Sequence, residues 1–195
     1  QLLKIRYKDW NMAIPNLDEP CGQHFTYRDF IECSDSWKRT HVDNTPQQRE
    51  TYLAIDQLVS EILDPVKEIF GKVVLTYGFS SAALVKEVKT NAYPNITPSG
   101  DQHASCELNR NGKLICDRKG LAVDFYVAGV SSLEVAKWIV QNTYFDRLYF
   151  YSAHRPFHVS IGPDDSKSIV FMDGYRGGRH QPKVMTLDKF LQSKF

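Results

Sequence analysis

The chain reads as a single α+β domain, and three observations predict it. Its 195 residues suit one folding unit, with no linker, repeat or low-complexity tract to divide them. An apolar share of 42% and an aromatic share of 12% suffice for a core without metal or disulfide staples. Helix-spaced apolar residues alternate irregularly with short strand-like runs, the pattern of a mixed rather than a regularly βαβ-wound fold.

Residues 1–24 contain Pro15, Pro20 and Gly22 and are expected to be an irregular segment wrapping the surface before a domain spanning 25–195. The first firm element starts at Thr45-Pro46-Gln47-Gln48. Thr is a good N-cap, Pro suits the first helical position, and Gln three residues after Thr completes a capping box. Tyr52, Ile55, Val59, Ile62, Leu63, Val66, Ile69 and Phe70 recur at helical spacing, with Gly71 as the stop and Pro65 as a kink near the end. Lys72–Tyr77 reads as a buried strand, Ala82–Val88 as a short helix and Leu121–Val127 as a second strand. Ser131-x-x-Glu134 caps a helix running to about Gln141. Strands follow at Arg147–Tyr151, Phe157–Ile161 and Ser168–Met172, and Thr186 opens a C-terminal helix.

A net charge of +1 supplies no whole-molecule field for nucleic acid or anionic membrane, so neither is an expected partner. No apolar run approaches the ~20 residues of a membrane span. The chain begins at Gln1, as a processed form or one domain of a longer protein does, and its compartment and oligomeric state are left open. The four cysteines form no CxxC pair, which argues against a four-cysteine zinc site. Cys106 and Cys116 flank a hairpin turning at Asn111-Gly112, and two readings stand side by side: a disulfide across it, or two reduced thiols.

The chemistry concentrates in two strands. In Phe157-His158-Val159-Ser160-Ile161 a period of two sends Phe157, Val159 and Ile161 to the core and His158 and Ser160 to the other side. Asp124 is placed alike, opposite Val123 and Phe125. A carboxylate inside such an apolar strand is costly unless something pairs with it, and a divalent cation is one such partner. With His103, the set would be two histidines and one carboxylate, the ligand type of an open zinc site. An Asp that caps or pairs, beside histidines that only hydrogen-bond, fits the same pattern. Gly174-Tyr175-Arg176-Gly177-Gly178-Arg179-His180 is a basic glycine-rich loop able to grip a phosphate, although it lacks the strand–GxxxxGK[ST]–helix context. No serine nucleophile elbow is present, and Cys33 has no evident paired base.

Four blocks carry a resemblance. They are Phe25-Thr26-Tyr27-Arg28-Asp29-Phe30 with Asp43-Asn44-Thr45-Pro46 and Leu63-Asp64-Pro65-Val66; Leu75 to Leu84 (LTYGFSSAAL); Asp101-Gln102-His103 joined to Gly120-Leu121-Ala122-Val123-Asp124; and Phe145-Asp146-Arg147-Leu148 leading to Phe157-His158-Val159-Ser160. In this order they resemble the zinc D-alanyl-D-alanine carboxypeptidases and phage endolysin peptidases, a bacterial and phage family sharing its core with the Hedgehog signalling domain. The resemblance implies a Hedgehog-like fold: a central, mostly antiparallel sheet with helices packed on one side. It also implies zinc held by His103, Asp124 and His158, and hydrolysis of a peptide or peptidoglycan-like substrate.

Three departures qualify what the resemblance implies. Twenty residues, 104–123, separate His103 from Asp124, far more than in the family. The excess is the hairpin insertion 104–119, expected to project beside the metal and reshape the cleft. The family's Arg in its Ser-Gly-Tyr-Arg-Ser turn corresponds to Ser80, so Arg118 or Arg155 would have to supply a positive charge, with Tyr151 beside them as a further substrate contact. The family's general-base Glu is missing before His158, and His154 is the residue there whose pKa range suits proton transfer. A zinc-binding module that recognises a partner without cutting it, as the Hedgehog core does, is the alternative reading.

Overall fold

Short local signals start the chain's first helices. In the computed structural model, which describes residues 14–90, 96–176 and 179–195 without the side chains of 175–180, residues 14–26 are irregular, apart from a bridge between Pro20 and Thr26. The expectation for residues 1–13 and the character of the Arg176/Arg179 side chains lie outside the described residues. Thr26 donates from its amide and its hydroxyl to Asp29 Oδ2, at 2.8 and 3.0 Å, and opens helix α1, Tyr27–Glu32. Ser34 caps α2, Asp35–Thr40, by accepting from the Trp37 amide. The sequence signalled neither helix, because six residues are too few to show a period.

The long helix differs from expectation at both its start and its middle. Helix α3 spans Arg49–Leu58 with Gln48 at its N-cap, three residues beyond Thr45. The reason is distant in sequence: Glu107 reaches in and accepts from the amides of Gln47 and Gln48, each at 3.1 Å, and from the Thr51 hydroxyl at 2.9 Å. A buried carboxylate on the helix N-terminus makes the local capping box unnecessary. Toward its end the helix widens into a π-turn, Val59–Leu63, before α4, Asp64–Phe70. Pro65, at the start of α4, cannot donate to the preceding turn and crowds its carbonyls, and the amide of Asp64 bonds back to Val59 instead.

Six strands form one open sheet: β1 Val73–Tyr77, β2 Leu121–Val127, β3 Arg147–Phe150, β4 Phe157–Ile161, β5 Ser168–Arg176 and β6 Arg179–Met185. Their spatial order is β1-β2-β4-β3-β5-β6, antiparallel throughout except where β3 runs parallel to β5. Helix α5 spans Ala82–Thr90, α6 Ser132–Asn142 behind its Ser131 cap, and α7 Leu187–Gln192 behind Thr186. Strand β6 is an addition to the expected set. Its sequence does not alternate, and Pro182 and Lys183 suit the unpaired edge it occupies.

The main core lies on one face of the sheet. Leu121, Val123 and Phe125 of β2, Leu148 and Phe150 of β3, and Phe157, Val159 and Ile161 of β4 pack with Ile55 and Leu58 of α3, Val135 and Ile139 of α6, and Phe190 of α7. Each such side chain contributes roughly 1.5–3 kcal/mol by leaving water. Helices α1, α3, α4, α6 and α7 share this core, whereas Leu84 and Val88 of α5 pack on Tyr77, apart from it.

The second face is also buried at one end, which a period of two cannot show. All five residues of β4 are buried, His158 and Ser160 included. Their cover is the 98–120 segment. Gln102 donates to Lys119 O, Asp146 Oδ2 and Ile161 O and accepts from the Ser160 hydroxyl at 2.8 Å. The 104–119 insertion does turn near Asn111-Gly112, with a single bridge between Leu108 and Leu114 and Gly112 in the left-handed region. It is fixed at its base by Glu107 on α3, and Ala104 and Cys116 pack with Val85 of α5. All four cysteines are free thiols, the reduced alternative for Cys106 and Cys116.

Candidate metal centre

The bonding of neighbouring strands brings the predicted set together. Asp124 on β2 pairs with His158 on β4, which pairs with Tyr149 on β3, so three side chains stand in one row on the second face. A bulge in β1 extends that row. Between Leu75 and Tyr77 the register slips, so Tyr77 comes opposite Asp124 and turns to the face it would otherwise miss. Its ring then meets His103 edge-on at 4.7 Å.

His103 arrives from a loop rather than a strand. Its neighbours Gln102 (φ 72°) and Ser105 (φ 49°) hold left-handed backbone that side chains rarely adopt. The surrounding bonds maintain it: the Gln102 network below, and the Ser80 amide donating to His103 O at 2.9 Å.

The resulting geometry is compact. His158 Nδ1 is 2.8 Å from Asp124 Oδ1, and His103 Nε2 is 3.3 Å from the same oxygen. One donor atom from each of the three residues lies within 4.8 Å of the others. Four donors at about 2.1 Å from a tetrahedral zinc ion stand about 3.4 Å apart, close to these separations. His103 Nδ1 is bound to the Gly78 carbonyl at 2.7 Å, which fixes the ring and, in its neutral form, leaves Nε2 with its lone pair toward the centre. The Nε2 atoms of both histidines are buried without a hydrogen-bond partner, a costly condition that a bound cation relieves where a lone pair faces it. The histidine side chains are 1% and 3% exposed, that of Asp124 20%, so the centre opens to solvent over Asp124.

Charge in the pocket is strongly coupled. Burial alone pulls the His103 pKa down, but the carboxylates of Asp101 and Asp124 outweigh it and raise it to about 9. For Asp124 burial works upward, and the two imidazoles hold its carboxyl well below the usual range. Burial, reinforced by the charges of Asp124 and Asp101, pushes the Tyr151 phenol above its ordinary range.

The other candidates divide. Arg118 joins the site at one remove, its Nη1 donating to Gly100 O at 2.5 Å and to Tyr149 Oη at 3.2 Å, while the Tyr149 ring stacks on His158 at 4.7 Å and 13°. Ser80 is fully buried with its hydroxyl 2.8 Å from Tyr77 Oη, a scaffold position. Arg155 lies over the Tyr151 ring at 5.2 Å. His154 is exposed and lines a cavity of about 380 Å³ with Tyr126, Val130 and Ser131. Sequence reasoning missed Tyr77, Tyr149 and Asp101. Tyr149 was recoverable, since core-facing Leu148 and Phe150 place it on the His158 face, whereas Tyr77 depends on a bulge without a sequence mark. Comparison of the chain with family models, curated proteins and solved structures gives no match.

Proposed function

We propose that the chain binds zinc through His103, Asp124 and His158 and hydrolyses a peptide or peptidoglycan-like substrate, as a carboxypeptidase or endopeptidase. The observation that carries the metal is the buried convergence of two imidazole nitrogens on one carboxylate oxygen, with its opening to solvent. Three protein ligands leave a fourth position for water or substrate, the arrangement of catalytic rather than structural zinc. Bound there, zinc supplies Lewis acidity, polarising a scissile carbonyl and lowering the pKa of a water. The chain's own residues supply the rest. Tyr77 and Tyr149 wall the histidines, Gly78 orients His103, and Tyr151, with the Arg155 guanidinium over its ring, lies within reach of the Asp124 and Asp101 charges.

The peptide part of this reading rests on the four sequence blocks. The alternative, a metal-binding module without turnover, is favoured by Ser80 standing where the family has its Arg and by the lack of a Glu in the residues before His158. His154, the expected proton carrier, is exposed beside Tyr126, its backbone amide donating to the Ser152 hydroxyl. One experiment orders the readings. Purified protein is expected to carry about one zinc per chain, lost in His103→Ala and Asp124→Ala; absence of metal from the wild type refutes the centre. Zinc-loaded protein is then incubated with muropeptides, and release of a terminal residue or an internal cut supports the peptidase. Stoichiometric zinc with no cleavage supports the binding module.

A further inference from the structure

The 104–119 insertion touches the centre through one guanidinium. Arg118 Nη1 carries two hydrogens, and both are used. One goes to the carbonyl of Gly100, three residues before His103; the other goes to the hydroxyl of Tyr149, whose ring lies flat on His158. A single nitrogen thus ties the loop that presents the first histidine to the ring that backs the second. At its other end the insertion is fixed by Glu107 on the N-terminus of α3.

We propose that Arg118 and Tyr149 are positioning residues for the metal centre, and that the insertion is a brace setting the His103–His158 spacing. This rests on the metal reading of the triad and deepens it. His103 has its own local support in Gly78 O, whereas His158 is held within the centre by Asp124 at Nδ1 and by the edge-on His103 ring. Its Nε2 has no hydrogen-bond partner, and the support of its ring plane from outside the three ligands is the Tyr149 stack. A ring free to rotate presents its nitrogen to the ion only part of the time, so losing such outer support typically costs about 10–100-fold in metal affinity. Arg118 delivers that restraint from outside the sheet, which explains how a long insertion between two ligands is compatible with a tight centre.

The test is a double-mutant cycle on zinc affinity, measured by competition with a chromophoric chelator. Tyr149→Phe keeps the stack and removes the hydroxyl; Arg118→Met keeps most of the side-chain volume and removes both donated bonds. Each is expected to weaken zinc binding about 10–100-fold, with the Tyr149→Phe effect at the low end. Because the two act through one bond, the double variant should bind within about twofold of Arg118→Met rather than at the product of the two effects. Cobalt-substituted protein gives an independent signature, because a displaced ligand changes its visible absorption bands whereas a remote loss of stability does not. Affinities within about twofold of wild type, multiplicative effects, or unchanged cobalt bands overturn the proposal. Should Arg118→Met fail to fold, Tyr149→Phe decides alone by affinity and cobalt spectrum. Wild-type protein that takes up no zinc overturns the metal reading itself, whereas tight wild-type binding matched by the variants overturns the brace alone.

Discussion

Gly120 shows how closely the second face is packed. It leads into β2 at φ +69°, and a Cβ there would lie 2.0 Å from the Ile161 carbonyl oxygen. Both the backbone conformation and the contact exclude a side chain, so Gly120→Ala should destabilise the protein by at least about 2 kcal/mol, read from urea unfolding of the metal-free form. A change below half that size would mean the 98–120 cover is looser than described. His103 carries a different prediction. Its pKa is raised from 6.5 to about 9, so in metal-free protein its proton stabilises the fold fully below pH 6.5, and that contribution is lost as pH rises through 9. A cation needs the neutral ring and must displace this proton. Zinc affinity should therefore rise about tenfold per pH unit between pH 6.5 and 8.5, with Asp124 adding no slope because its carboxyl is already ionised there. Calorimetry in buffers of different ionisation enthalpy should register the released proton; a flat affinity over this window contradicts the assignment. His158 and Asp124 were legible at this scale because alternation in two apolar strands exposes any polar residue set within them. His103 was not legible from pattern, since its loop is held by Gln102 and Ser80, whose partners are remote in sequence.

At the scale of elements, α3 and the insertion depend on each other. Glu107 is 2% exposed and accepts from two α3-leading amides and the Thr51 hydroxyl. Glu107→Ala leaves the Thr51 hydroxyl buried without this partner and frees the two less buried amides to water, at a cost of about 1–3 kcal/mol. Glu107→Gln retains an acceptor oxygen, so it should recover part of that loss. Chemical denaturation of the two variants checks the order, and equal losses would show that charge rather than bonding holds the helix. The same interaction explains a misplaced boundary. Thr45-Pro46-Gln47-Gln48 is a sound local cap, yet the stronger carboxylate from residue 107 shifts the start to Arg49. The strands β2 and β4 were read to the residue because apolar and polar residue types alternate about Asp124 and His158, although burial itself does not alternate along β4. The start of α6 was read because Ser131 caps it. The elements that escaped, α1, α2 and β6, draw stability from short caps or from pairing with β5 rather than from a period of their own.

For the whole molecule, the centre lies where the sheet, the 98–120 segment and α5 meet, so the metal and the fold should be thermodynamically linked. The mixed single-sheet architecture followed from the mixture of periods in the sequence, while the second buried face did not, because its cover comes from a non-periodic loop stabilised by contacts across the chain. That cover brings His103 to Asp124 and gathers two buried imidazoles on a part-buried carboxylate. Without a cation, His103 Nε2 is buried beside Asp124 without a hydrogen-bond partner, and an ion that binds only the folded state adds stability by mass action. Free zinc at a hundred times its dissociation constant should contribute about 2.7 kcal/mol. For a chain of this size each kcal/mol moves Tm by about 2–4 °C, so the expected rise is about 5–10 °C. Differential scanning fluorimetry across a zinc series should show Tm climbing with the logarithm of free metal, and a chelator should reverse it. His103→Ala and Asp124→Ala should show no such climb, whereas His154→Ala, on the Tyr126 cavity, should retain it. A zinc response that survives in both His103→Ala and Asp124→Ala would place the ion elsewhere in the molecule.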